Sequence, residues 1–186
     1  MKVMVISILL VLCYHLHYQQ VAGLTGHDVD ISSLVQRNTQ DSELCDCVEY
    51  TFHHEAKSWD GAQDSCVSQG GMLAVVPDES THQALLDYIT NNGFDSLVNR
   101  GYWIGLHYDN GNYTWTNDDQ LISNCHFETW VPGEPNRKKN RRFGTQECIQ
   151  MWKSNNYDWD DDFCAKAKQY ICMNYMCPDG CSECVE

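Results

Sequence analysis

Tyr102-Trp103-Ile104-Gly105-Leu106 reads as a buried strand, an apolar run rich in aromatic and branched side chains. Asn110-Gly111 follows as a hairpin turn signal, and Tyr113-Thr114-Trp115 is the returning strand. Upstream, Tyr50-Thr51-Phe52 forms a short strand. Ser58 caps a helix that carries Trp59, Ala62 and Cys66 on one face and ends at Gly70. Met72 to Val76 is a short apolar strand. Ser80-Thr81-His82-Gln83 is a capping box for a second helix, which turns Leu85, Tyr88 and Ile89 inward and stops at Gly93. Downstream, Asn117 to Arg142 is polar, turn-rich and irregular, a length that in a compact domain points to function or disorder. Strand patterning resumes at Cys148-Ile149-Gln150-Met151-Trp152 and at Gln169-Tyr170-Ile171-Cys172-Met173. Two helices followed by strands around a long loop make an α+β domain.

The chain has 186 residues, with 26 Asp and Glu against 12 Lys and Arg, a net charge of −14. That balance disfavours nucleic acid or an anionic membrane surface as main partner. It suits a protein that binds cations, although solubility alone would ask for the same. Met1-Lys2, the apolar run Val3 to Cys13 and the small residues Val21-Ala22-Gly23 fit a cleaved secretion signal. The run is short of the roughly 20 apolar residues a membrane span needs. The expected layout is a signal peptide over 1–23 and a linker or arm over 24–44, where Ile31, Leu34 and Val35 make a short helical stripe. A domain over 45–174 and a Cys-rich tail over 175–186 complete it. Secretion, and no membrane span, follow as expectations.

Of eleven cysteines, Cys13 falls in the leader, and the remaining even set reads as disulfides in a secreted chain.

The long loop is flanked by Glu134-Pro135-Asn136, Gln146-Glu147-Cys148 and Trp159-Asp160-Asp161-Asp162-Phe163-Cys164. These are rich in carboxylate and amide oxygens and contain no His. Hard cations such as Ca²⁺ take about six to eight oxygens, whereas Zn²⁺ prefers His or Cys. A cis peptide bond at Pro135 would turn Glu134 and Asn136 to one side. A solvated acidic loop is the alternative reading of the same residues.

The chain from about Cys47 to Asn174 resembles a C-type lectin-like domain. Tyr50-Thr51-Phe52, Lys57-Ser58-Trp59, Ala62 to Cys66 and Gly70 to Val75 resemble its opening elements. Trp103-Ile104-Gly105-Leu106 resembles its core motif, and Trp130-Val131-Pro132-Gly133-Glu134-Pro135-Asn136 the approach to its sugar site. Trp159-Asp160-Asp161 with Cys164 sits where the family has Trp-Asn-Asp and its cysteine. The resemblance implies a disulfide-stapled fold of two helices, small antiparallel sheets and a long Ca²⁺-binding loop. It implies the disulfides Cys66–Cys172 and Cys148–Cys164, and no enzymatic activity; no Ser/His/Asp order or phosphate-cradling loop stands out. It also implies a Ca²⁺ site of Glu134, Asn136, Gln146, Asp160 and Asp161, with Glu147 able to swing in and an affinity of about 10⁻⁴–10⁻³ M. Asp109 and Glu147 are weaker candidates for a second ion.

Two positions depart from the family pattern. Gln146 stands where the family has Glu, and Asp160 where it has Asn. In the family, two neighbouring sugar hydroxyls coordinate the ion. Each also donates to a carboxylate and accepts from an amide NH₂. Glu134 and Asn136 are of the mannose, fucose or N-acetylglucosamine kind. Gln146 and Asp160 exchange donor and acceptor, which resembles the galactose switch made on the other side. The expected ligands are therefore glycans bound through Glu134, Asn136, Gln146 and Asp160, of mannose or of galactose type, serving recognition of microbial or self surfaces. A Ca²⁺-independent interaction module on the same fold is the alternative.

Arg137-Lys138-Lys139-Asn140-Arg141-Arg142 is a basic island beside the site. It reads as a solvated loop, an attractor of sulfated or sialylated glycans, or a protease site. Asn112-Tyr113-Thr114 is a glycosylation sequon on an exposed turn. Cys45, Cys47, Cys125, Cys177, Cys181 and Cys184 leave room for a disulfide-linked homo-oligomer. His53-His54 read as surface strand residues, and Trp59, Trp103 and Trp115 as core.

Overall fold

The computed structural model describes residues 10–13, 47–116 and 127–176. The arm, Cys45, Cys125 and the cysteines of the tail lie outside the described residues. So does most of the segment 1–23 expected to be a signal peptide, of which Leu10–Cys13 is described as an edge strand.

In chain order the elements are β1 (Leu10–Cys13), β2 (Cys47–Lys57), α1 (Trp59–Val67), β3 (Met72–Leu73) and α2 (Glu79–Asn91). They continue with β4 (Gly101–Asp109), β5 (Asn112–Trp115), β6 (Lys139–Asn140) and β7 (Gly144–Thr145), then β8 (Cys148–Trp152), β9 (Trp159–Asp162) and β10 (Lys168–Met176). One sheet runs β1-β2-β10-β4-β8-β9, with β3 on β10 and β5 on β4; β6 and β7 form a separate hairpin. The β10–β4 pairing is parallel and the other pairings are antiparallel. β10 runs through Met176, past the expected boundary at 174.

The quoted core strand lies where the pattern puts it. Gly101 to Leu106 is buried throughout, and β4 returns through Asn110-Gly111 with φ of 46° and 96° into β5, paired Asp109 to Asn112. Both turn residues occupy the left-handed region, which Asn and Gly adopt at least cost. Gly105 is required for a different reason: a Cβ there would lie 2.5 Å from Thr116 Oγ1 and 2.7 Å from the Leu73 carbonyl oxygen.

α1 begins where Ser58 Oγ accepts from the Gly61 N–H, and it buries Trp59, Ala62 and Cys66. The Trp59 indole donates to the Ile104 carbonyl at 2.8 Å, and the Trp103 indole donates back to the Lys57 carbonyl at 3.1 Å. These buried N–H groups are therefore satisfied, as burial demands. Cys66–Cys172 then ties α1 to β10.

Four readings need correction. α2 begins at Glu79 and is capped by Asp78, not by Ser80: Asp78 Oδ1 accepts from the Thr81 N–H at 2.7 Å, so an aspartate two residues earlier caps first. Its charge also suits the helix dipole, and Gln83 donates to Asp87 instead of closing a box. Only Met72 and Leu73 of the Met72–Val76 strand join a ladder, although the Ala74 N–H still donates to the Ile171 carbonyl. At Trp159–Asp162 the alternative reading, a solvated acidic loop, fails: the stretch is a buried strand that pairs with β8. His53 and His54 are half-buried: the His53 ring stacks on Tyr170 at 4.5 Å and the His54 ring meets Phe94 edge-on at 4.6 Å.

Candidate functional site

The loop from Phe127 to Gln146 is pinned to β9 at its start. Thr129 and Val131 exchange backbone hydrogen bonds with Trp159 at 2.7 and 2.9 Å. Trp130 packs edge-on against Trp159 at 5.6 Å. Glu134 then closes a turn onto the Val131 carbonyl at 2.9 Å. The Glu134–Pro135 bond is cis. Both expectations meet here: the side chains of Glu134 and Asn136 are hydrogen-bonded to each other, with Asn136 Nδ2 donating to Glu134 Oε2.

From the other side β9 delivers Asp160 and Asp161. Carboxylate oxygens of Glu134, Asp160 and Asp161 all lie within 4.8 Å of one another. Asp161 is fully buried and Asp160 nearly so. The Cys148–Cys164 disulfide and the β8–β9 ladder hold the two strands in register, with Gln150 opposite Asp160. Asp161 is fixed by backbone donors: the Asn136 N–H reaches Oδ1 at 3.1 Å and the Arg137 N–H reaches Oδ2 at 2.7 Å. Gln150 Nε2 donates to Asp160 Oδ2 at 2.6 Å.

Three converging carboxylates repel one another. Burial, then contact with Asp161, push the Glu134 carboxyl up to about 7. Burial also raises Asp160, with Gln150 opposing. The cations around them are committed elsewhere. Arg137 pairs with Glu147 at 2.8 Å and lies over the Tyr108 ring at 3.5 Å. Lys166 and Lys168 both pair with Asp162 at 2.6 Å. Burial opposes the charge on Asp162, yet the two lysines hold its carboxyl below the usual value. The fold thus neutralises Asp162 and Glu147 with side chains and leaves Glu134, Asp160 and Asp161 without one among the described residues.

Gln146 is buried beside the cluster, and its orientation is chemically fixed. Its Nε2 lies 2.7 Å from the Asp161 carbonyl oxygen and 3.4 Å from Asp162 Oδ1, contacts only an N–H donor can make. Its Oε1 is left buried and without a partner. An orphaned buried oxygen beside three carboxylates is a donor set for a hard divalent cation. Of the expected ligands, Glu134, Asp160 and Asp161 bring their carboxylates together, Asn136 is hydrogen-bonded to Glu134 and Asp161, and Gln146 is bonded to the Asp161 backbone. Glu147 does not join them: the Arg137 guanidinium holds it away. Asp109 is likewise outside the group. Sequence reasoning missed Gln150 and Lys168. A glutamine inside the apolar run 148–152, and a lysine opening a buried strand, were the available signals.

The two helices, the two disulfides and the cis-proline loop pinned to β9 define a C-type lectin-like fold. The chain belongs to the C-type lectin domain family, whose profile matches residues 55–174. Mouse P-selectin is 30% identical over 144 residues, covering 74% of this chain but only 17% of that protein. The chain therefore spans well under two thirds of that relative. The cow C-type carbohydrate-recognition domain of CD23, solved in the presence of a GlcNAc2Man3 oligosaccharide, is 27% identical with a TM-score of 0.54. That match covers 70% of this chain and 89% of that one. A calcium-independent type II antifreeze protein is 26% identical with a TM-score of 0.52, covering 69% and 86%. No helix among the described residues is long and apolar enough to cross a membrane.

Proposed function

We propose that this chain is a Ca²⁺-dependent, secreted carbohydrate-binding protein. Glu134, Asn136, Gln146, Asp160 and Asp161 would hold the ion. The observation that carries the reading is the trio of carboxylates within 4.8 Å of one another beside the unpartnered Gln146 oxygen. When bound, Ca²⁺ supplies open coordination positions for two neighbouring sugar hydroxyls. Glu134 accepts from one hydroxyl and Asn136 Nδ2 donates to it, once their mutual hydrogen bond opens. Around the second hydroxyl, Gln146 Oε1 and the remaining Asp160 oxygen are both acceptors, because the Gln146 NH₂ is already spent on Asp161 and Asp162. One hydroxyl proton serves one acceptor, so this half of the site binds a neutral sugar weakly. The proposed exchange of donor and acceptor toward galactose loses its donor at Gln146, and a mannose-type ligand at Glu134 and Asn136 is favoured. A glycan at exposed Asn112, a cleaved leader and cysteine-linked oligomers that raise avidity belong to the same reading.

Calorimetry with calcium, followed by glycan binding with and without chelator, tests it. Heat on calcium addition and chelator-sensitive mannose binding are expected; no heat at millimolar calcium sinks it.

A second reading, a Ca²⁺-independent interaction module, is favoured by one feature. Asn136 and Arg137 already bind Asp161 through backbone N–H groups, so the loop is held in place without an ion. Under that reading calcium leaves the melting temperature unchanged.

A further inference from the structure

The basic island is solvent-exposed but ordered. It folds as the β6–β7 hairpin, with Lys139 opposite Thr145 and Asn140 opposite Gly144. Asn140 Oδ1 accepts from the Arg142 N–H at 2.8 Å and the Phe143 N–H at 3.3 Å, which orders the tip. The base is tied to the ion cluster: the Lys138 N–H donates to Asn136 Oδ1 and the Gln146 N–H donates to the Lys138 carbonyl, each at 2.9 Å. Phe143 packs on Phe163 at 5.7 Å and so anchors the far end to the segment that follows β9.

Within this frame Arg137 stands apart, since Glu147 and Tyr108 hold it. Lys138, Lys139, Arg141 and Arg142 are exposed, and none makes an ion pair with a described residue. No acid occurs between Asn136 and Glu147. Four cations held in one short hairpin repel one another, in a chain whose net charge is −14. Spare carboxylates elsewhere would have relieved that repulsion cheaply, yet the fold presents the cations unopposed. An arriving anion relieves it instead. Guanidinium and ammonium groups both suit sulfate oxygens, the former bidentately.

We propose that this hairpin is a cationic subsite for a sulfated polysaccharide, distinct from the ion cluster. The choice of a saccharide over other polyanions rests on the carbohydrate-binding reading of the adjoining cluster. The cationic site itself does not, because it needs no metal. The overall negative charge further opposes a polyanion that must lie along the whole surface, as duplex DNA or an anionic bilayer does.

The test compares the wild-type chain with Lys139→Gln/Arg141→Gln/Arg142→Gln on immobilised heparin, on desulfated heparin, on a neutral mannan, on duplex DNA and on phosphatidylserine vesicles. Each arm is run in calcium and in chelator. Wild type is expected to hold heparin in chelator and to release it as salt rises from about 0.1 to 1 M, where the Debye length falls from about 10 to about 3 Å. Binding should weaken about tenfold or more in the triple variant, whose melting temperature and mannan binding stay at wild-type values. Heparin capture that survives while mannan binding fails in calcium would support the hairpin and sink the ion site alone. Equal heparin binding by the variant overturns the proposal. So does undiminished binding to desulfated heparin, or binding to DNA or vesicles as tight as to heparin.

Discussion

Gln146 and Asp160 differ from the family pattern by one atom each, and those atoms set what the site can donate. Because Gln146 spends its NH₂ on Asp161 and Asp162, the pair would, under the proposed reading, offer a sugar hydroxyl two acceptors and no donor. Gln146→Glu/Asp160→Asn keeps the formal charge and returns an NH₂ to the site. Mannose affinity measured by calorimetry is expected to rise about tenfold or more, the worth of roughly 1–3 kcal/mol for a satisfied polar group. Asp161→Asn acts oppositely: it removes a buried carboxylate, and the calcium-induced rise in melting temperature should disappear. His82 gives a pH dependence. Burial, opposed by Asp158 and Glu79, holds its imidazole below the usual value. The unfolded chain therefore protonates first, so the stability that neutral His82 contributes is complete above about pH 6.5 and is lost as pH falls. Raised Glu134 and Asp160 act in the opposite sense, so the test is the difference: between about pH 7 and pH 5 the urea midpoint of His82→Leu should fall less, or rise more, than that of wild type.

At the level of elements, the two disulfides are not equivalent. Cys66–Cys172 spans 106 residues and fastens α1 to the sheet, whereas Cys148–Cys164 spans 16 and sits under the site. Cys148→Ala/Cys164→Ala should cost about 3 kcal/mol in denaturant unfolding, and weaken calcium binding because β9 carries Asp160 and Asp161 and Gln146 leads into β8. Gly105→Ala forces a Cβ to 2.5 Å from Thr116 Oγ1 and should cost about 1–3 kcal/mol. Most elements were legible in the sequence because their signals are local. Ser58 as a cap, Asn110-Gly111 as a turn and the apolar run of β4 depend on neighbours within a few residues. β9 was illegible for a physical reason: Trp159-Asp160-Asp161-Asp162 has no alternating pattern, since all four residues are buried. Its aspartates are buried because Gln150, backbone N–H groups and Lys168 meet them from elsewhere.

Over the whole molecule, an ion at the cluster would bind the folded chain and not the unfolded one. Calcium at about a hundred times its dissociation constant should then stabilise the fold by about 2.7 kcal/mol, readable as a raised melting temperature that chelator reverses. The sequence by itself determined both helices and the ordered motifs that resemble the family, and that resemblance implied the two described disulfides and the candidate site residues. The helices are written in residue types at short spacings, and the resemblance in the order of the motifs. Only the tertiary structure decided which polar atoms are free. It turned the Gln146 oxygen inward by consuming its nitrogen, drew Glu147 away to Arg137, and raised four unpaired cations on a hairpin beside the acids. Hydrogen-bond direction and charge pairing depend on partners distant in sequence, so no local pattern encodes them.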